Sequence, residues 1–114
     1  MKPPPADLSP LGVLEEQILV AVVRTRGEAY GMNVRREIEH VTGRELAIGA
    51  VYATLDRLEA KGFVRSGRGG AEGPTRRLFE LTPAGARALT ETSTMRDRLW
   101  EGISVRVLTA LGRA

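Results

Sequence analysis

The chain has 114 residues, 42% apolar and 27% charged, with a formal net charge of +3. That length suits one domain with a single modest core, and the composition is ordinary for a globular protein. Cysteine is absent and histidine occurs once, which excludes a disulfide framework and a thiolate metal site. The mild excess of base is compatible with a nucleic-acid partner without requiring one. No apolar run reaches the ~18 residues of a membrane span. The opening Met1-Lys2-Pro3-Pro4-Pro5-Ala6-Asp7 lacks the apolar core of a signal peptide. A cytoplasmic protein without membrane contact is the expectation.

In chain order, residues 1–8 hold three consecutive prolines and no periodicity, predicting an extended N-terminal arm. Ser9-Pro10 offers a helix cap followed by proline at the first helical position. Leu14, Ile18, Ala21 and Val22 then keep helical spacing to about Thr25, while Leu11, Leu19 and Val23 widen the stripe. This first helix is expected to bury two faces, one of them against a partner chain. A second helix is read from Val34, Ile38 and Val41 at i, i+4 and i+7, closed by Gly43. His40, with no second imidazole or thiolate near it in sequence, is read as a surface residue of that helix.

A third helix runs from Ile48, with Val51, Leu55 and Leu58 on one face and Gly62 as its stop. At about 100° per residue, the opposite face carries Gly49, Ala53, Asp56, Arg57 and Ala60. An exposed face this short of bulk can approach another surface closely, as a recognition helix approaches the DNA major groove; an ordinary amphipathic helix would share the pattern. The preceding helix and short connection complete a helix-turn-helix arrangement. Phe63 to Ser66 reads as a strand, residues 67–74 as a glycine-rich loop, and Arg76 to Thr82 as a return strand. Arg65, Arg68, Arg76 and Arg77 flank the tip of this hairpin, and between Arg65 and Arg77 they stand against one acid, Glu72. A basic hairpin directly after a recognition helix is a wing, its arginines spaced to follow phosphates or enter a minor groove. Thr82-Pro83 repeats the cap signal and opens a last helix, in which Leu89, Thr92, Met95, Leu99, Ile103, Val107 and Leu111 step by three or four. Such a helix would span about 40 Å at 1.5 Å per residue, so it either crosses the domain or meets another chain. Gly102 is a candidate bend. Homodimerisation through the first and last helices is favoured, with Leu11, Leu14, Leu19, Leu89, Met95, Leu99, Trp100, Ile103 and Val107 at the contact.

The fold class expected is mainly α (α+β): a winged helix-turn-helix with a two-stranded wing and a long C-terminal dimerisation helix. The chain divides into an arm over 1–8, a winged-helix domain over 9–82 and a dimerisation helix over 83–114. Without a thiol, a metal-ligand cluster or a phosphate loop set between a strand and a helix, an enzyme is not expected, and neither a metal nor a cofactor is.

Several segments together resemble the PadR-type transcriptional regulators, which are winged-helix proteins with a C-terminal dimerisation helix. They are Tyr30-Gly31-Met32-Asn33-Val34, Gly49-Ala50-Val51-Tyr52-Ala53-Thr54-Leu55 with Leu58-Glu59, Gly62-Phe63-Val64, and Arg76-Arg77-Leu78-Phe79-Glu80-Leu81-Thr82-Pro83-Ala84-Gly85. Their order over Leu11 to Leu89 carries the resemblance. Where the family usually has serine or proline before the glycine and threonine after it, this chain has Ala47-Ile48 and Ala50; its paired wing tyrosines are Leu78-Phe79 here. The resemblance implies that Tyr52 and the start of the third helix contact double-stranded DNA and that the wing touches the backbone. It further implies that two subunits read an inverted repeat, with repression as the sign. The candidate DNA-contacting set is Tyr30, Arg36, Gly49, Ala50, Tyr52, Ala53, Asp56, Arg57, Arg65, Arg68, Arg76 and Arg77. Arg57 would donate to guanine or to phosphate; Asp56 would accept from cytosine or hold Arg57 or Arg36. Two alternatives stand beside this function. One is a sensor of small planar apolar ligands at the dimer interface through Trp100, as in some members of the family. The other is a winged helix used only for protein contacts.

Overall fold

The computed structural model describes residues 11–69 and 76–113. The predicted N-terminal arm, the Ser9-Pro10 cap and the wing tip from Gly70 to Thr75, with Glu72, lie outside the described residues. The elements are α1 (Val13–Arg24), α2 (Gly31–Thr42), α3 (Ile48–Ala60), β1 (Val64–Arg68), β2 (Arg77–Leu81), α4 (Pro83–Trp100) and α5 (Val105–Gly112).

α1 starts later than Ser9-Pro10 suggests. Its N-cap is Gly12, whose N–H donates to Glu15 Oε1 at 3.0 Å, the carboxylate half of a capping box. Ile18, Leu19, Ala21 and Val22 are its buried side. α2 ends on Gly43, whose φ of 71° lies in the left-handed region that glycine adopts without strain. Val34 and Ile38 enter the core, but Val41, the third member of the predicted stripe, is exposed. His40 is also exposed, as read from the sequence.

α3 begins at Ala47 without a side-chain cap, in keeping with its missing hydroxyl. Val51, Thr54, Leu55 and Leu58 face inward. It closes with a Schellman arrangement: Phe63 N–H donates to Leu58 O and Gly62 N–H to Glu59 O, with Gly62 at φ 81°. That turn throws the chain directly into β1. The hairpin is antiparallel, pairing Val64 with Leu81, Arg65 with Glu80 and Arg68 with Arg77. Phe79 lies in the core, and its N–H donates to Ala29 O at 2.9 Å, so the α1–α2 connection pins the outer edge of β2.

Thr82 joins wing to α4. Its hydroxyl accepts from Gly85 N–H at 3.0 Å and donates to Gly62 O at 2.6 Å. Gly85 lies so close to the Phe63 carbonyl that a Cβ would collide with it. Further along α4, buried Thr92 accepts from Leu11 N–H at 3.2 Å and ties the helix to the entry of α1. Beyond Thr92 the helix leaves the core. The single long C-terminal helix expected from periodicity is two helices: Gly102 takes φ 81°, and Ser104 caps α5 by accepting from Arg106 N–H. No residue of α5 is buried. Among the described residues, no helix is long and apolar enough to cross a membrane.

The glycines of α3 and α4 yield a contrasting pair of variants. Gly85→Ala must displace the Phe63 carbonyl and is expected to cost about 1–3 kcal/mol in denaturant unfolding. At Gly49 a Cβ meets nothing within 4 Å, so Gly49→Ala is expected to be neutral or to stabilise by up to about 1 kcal/mol.

Candidate nucleic-acid interface

Over its first two turns α3 presents Gly49, Ala50 and Ala53 to solvent, a strip with no side chain beyond a methyl group that ends at Asp56 and Arg57. Tyr52 borders the strip on the α2 side, where its ring lies on Gly31, the first residue of α2; a Cβ there would overlap the ring and its hydroxyl. Close packing of α2 on α3 therefore depends on glycine at this position.

Arg57 is not a partner of Tyr52 across this face. Five residues along a helix turn a side chain by about 140° from its predecessor, and Arg57 points to the opposite flank. Its Nε is 3.9 Å from Glu15 Oε2 and its Nη2 donates to Thr54 Oγ1 at 3.4 Å. Glu15 also accepts from Lys61 Nζ at 2.7 Å. Partial burial pushes the Glu15 carboxyl upward, but Lys61, the Gly12 N–H and Arg57 outweigh this and hold it below its ordinary value.

Asp56 holds neither Arg57 nor Arg36 but Arg77 of the wing. The Arg77 guanidinium spans the gap between β2 and α3, with Nη1 2.8 Å from Asp56 Oδ1 and Nη2 2.5 Å from Glu59 Oε1. Its Nε donates to Ser66 Oγ at 3.2 Å, and its guanidinium carbon lies 4.7 Å from the centre of the Phe79 ring. Glu59 Oε2 in turn accepts from Ser66 N–H at 2.9 Å and Ser66 Oγ at 2.7 Å. The Ser66 bonds lead in holding the Glu59 carboxyl below its ordinary value, with Arg77 adding to them; Asp56 and Glu59 raise Arg77. Two carboxylates therefore neutralise an arginine expected to face DNA. Glu59 and Ser66 were absent from the sequence-derived set. Asp56 and Glu59 stand at i, i+3 on one helix face, but nothing in the sequence indicates which hairpin residue they meet.

The other predicted arginines differ in kind. Arg65 pairs with Glu80 across the strands at 3.1 Å, with both side chains about two-thirds exposed, a geometry that contributes little. Arg68 is exposed on β1 at its wing-tip end. Arg76 stacks on Tyr30, its guanidinium carbon 4.0 Å from the ring centre. Arg36 is exposed on α2 and makes no ion pair among the described residues. Tyr30, Met32, Arg36, Tyr52, Arg76 and Arg77 line one depression of about 380 Å³ between α2, α3 and the wing.

The residues expected at a dimer contact also separate. Leu11 and Leu19 belong to the protomer's own core, and Leu14 and Leu89 pack against it. This corrects the assignment of Leu11 and Leu19, whose side chains the protomer itself covers; Leu14 and Leu89 are only partly buried. Met95, Leu99, Trp100, Ile103 and Val107 are exposed, Leu99 at 75% and Trp100 at 52%.

Helix-turn-helix, bare third helix and clamped hairpin define a winged-helix protein of the kind that regulates transcription. Residues 18–91 match the family model described as "Transcriptional regulator PadR-like family". The chain belongs to that family. It is 39% identical over 64 residues to the transcriptional regulator Rv3488 of Mycobacterium tuberculosis, covering 56% of this chain and 59% of that protein. It is 36% identical over 85 residues to an uncharacterised 37.1 kDa protein of transposon TN4556 from Streptomyces fradiae, covering 75% of this chain and 24% of that one. The chain thus spans less than two-thirds of either relative. Among solved structures, the S4 complex of RosR from H. salinarum superposes with a TM-score of 0.68 at 24% identity, over 95% of this chain and 92% of that one, a likeness of fold.

The Glu59 contacts imply an acid-sensitive wing. A carboxyl lowered in the folded state stabilises fully above its ordinary value of 4.5 and loses that contribution as pH falls through the folded value. Glu59→Gln is expected to cost about 1 kcal/mol at neutral pH and to flatten the fall in stability between pH about 6 and about 3. Urea unfolding across that range measures both.

Proposed function

We propose that this protein is a homodimeric, sequence-specific DNA-binding regulator that reads an inverted-repeat operator and represses transcription. The observation that carries the proposal is the pairing of a sterically bare α3 face with a wing clamped to the same helix. Gly49, Ala50 and Ala53 provide clearance for α3 in the major groove, where a helix must come close to reach base edges. The wing lies beside it, within reach of the backbone. Asp56, compensated by Arg77, does not stand as a bare negative charge against phosphate. Repression is taken from the family resemblance.

The dimer rests on exposed apolar surface. Leu99, Trp100, Ile103, Val107 and Leu111 extend from the end of α4 through α5, each at least half exposed in its own protomer. An apolar strip of this kind is a contact surface in a protein that stays in solution, and a second copy supplies a matching strip by two-fold symmetry. Two linked reading heads then demand half-sites about one helical turn apart.

Selection of bound sites from random duplex DNA tests the main proposal, with a two-fold symmetric consensus expected. Affinity should fall steeply with salt, and Arg36→Ala and Arg76→Ala should each reduce the slope by about 0.9. Arg65→Ala should change it less, because Glu80 already faces that charge. Absence of duplex binding at low salt would leave a winged helix used for protein contacts.

Exposed Trp100 favours a second reading, in which planar apolar compounds enter the dimer contact and alter DNA affinity. Leu99→Glu with Ile103→Glu should yield monomers by sedimentation. Trp100 emission should shift to the blue on dimerisation, and quenching by flat aromatic compounds at micromolar concentration is the sign of a sensor.

A further inference from the structure

The depression between α2, α3 and β2 is not explained by major-groove reading or by the wing clamp. No carboxylate is among its described lining residues. Arg77 borders it, but Asp56 and Glu59 occupy that guanidinium. Arg36 and Arg76 therefore bring two charges that no acid of the described chain balances. Arg76 is held in place by its stack on Tyr30. Its Nη1 is buried and has no hydrogen-bond partner among the described residues. A buried guanidinium N–H without an acceptor is costly, and the side chain that carries it lines the cationic depression without a hydrogen bond to any described residue.

The wall beside it offers further donors. Tyr52 lines the depression with its ring and hydroxyl on Gly31. α2 starts there with no side-chain cap, so its first backbone N–H groups take no protein acceptor from Tyr30. Planar guanidinium, cationic neighbour, phenol and open helix amides all suit an oxyanion. A base edge fits poorly, because the depression is set to the side of the bare α3 strip that would enter the groove.

We propose that this depression is a phosphate socket that seats one phosphodiester group of the bound duplex in each half-site, with Arg76 as its principal donor and Tyr30 as the residue that positions Arg76. The proposal rests on the DNA-binding function above and adds a specific contact to it. The socket anchors the backbone on the Tyr52 side of α3 and so sets the helix's register in the groove, as phosphate contacts generally do. Tyr52 then acts at the backbone and not at a base.

The test uses the full chain and a duplex recovered by the selection described above, with its phosphates replaced one at a time by neutral methylphosphonates. The wild-type protein is expected to lose about ten-fold in affinity at one particular phosphate of each half-site. In Arg76→Ala that position should become nearly indifferent, while losses at other phosphates persist. Tyr30→Phe keeps the stack and should retain the wild-type profile. Tyr30→Leu, which keeps apolar bulk but removes the ring, should lose the same single position as Arg76→Ala. A wild-type profile in which every sensitive phosphate stays sensitive in Arg76→Ala overturns the socket while leaving DNA binding intact. Failure of the wild-type protein to bind any unmodified duplex overturns both.

Discussion

The arrangement of wing and third helix depends on one guanidinium. Arg77 uses three N–H directions at once, toward Asp56, Glu59 and Ser66. A planar fork is suited to this task, since lysine would bring a single point charge to three separated acceptors. Glu59 completes the connection by accepting from both the backbone and the hydroxyl of Ser66 on the neighbouring strand. A two-stranded hairpin is marginal by itself. Tied to α3 by these bonds, anchored by Phe79 in the core and pinned by the bond from Phe79 N–H to Ala29 O, it becomes part of the domain.

The same clamp sorts the basic residues by function. Arg77 positions; Arg57 and Lys61 converge on Glu15 and brace α3 against α1. The charges left at the Tyr52 side are Arg36 and Arg76, and they stand together. A modest net charge of +3 is thus compatible with a concentrated cationic site, because ion pairing elsewhere cancels much of the remaining base. What matters for a nucleic-acid partner is where uncancelled charge remains, not its total.

The C-terminal end follows a different logic. Gly85, Ala88 and Thr92 are the last buried residues of α4, and its later turns and α5 have no core to pack on. An eight-residue helix has little stability from propensity alone, so α5 derives its place in the proposed dimer from the partner that covers its apolar side chains. The break at Gly102 turns one predicted helix into two and gives that surface a bend. Leu11 and Leu19, expected at the same contact, are taken up by the protomer's own core instead.

Periodicity and punctuation in the sequence determined the order of elements: the apolar spacing of each helix, the stops at Gly43 and Gly62, the Thr82-Pro83 start and the alternating wing strand. These signals are local, because a helix face or a turn involves residues within a few positions of one another. The family was also readable, since its segments recur in order along the chain. Tertiary structure decided what each charged or apolar side chain meets. Asp56 and Arg77 are 21 positions apart, Tyr30 and Arg76 farther still, and no spacing rule relates such pairs. It also decided that Val41 stays outside while Leu19 goes in, since a stripe of apolar residues shows that a face is buried without showing what covers it. A sequence therefore specifies faces, and only packing assigns their partners.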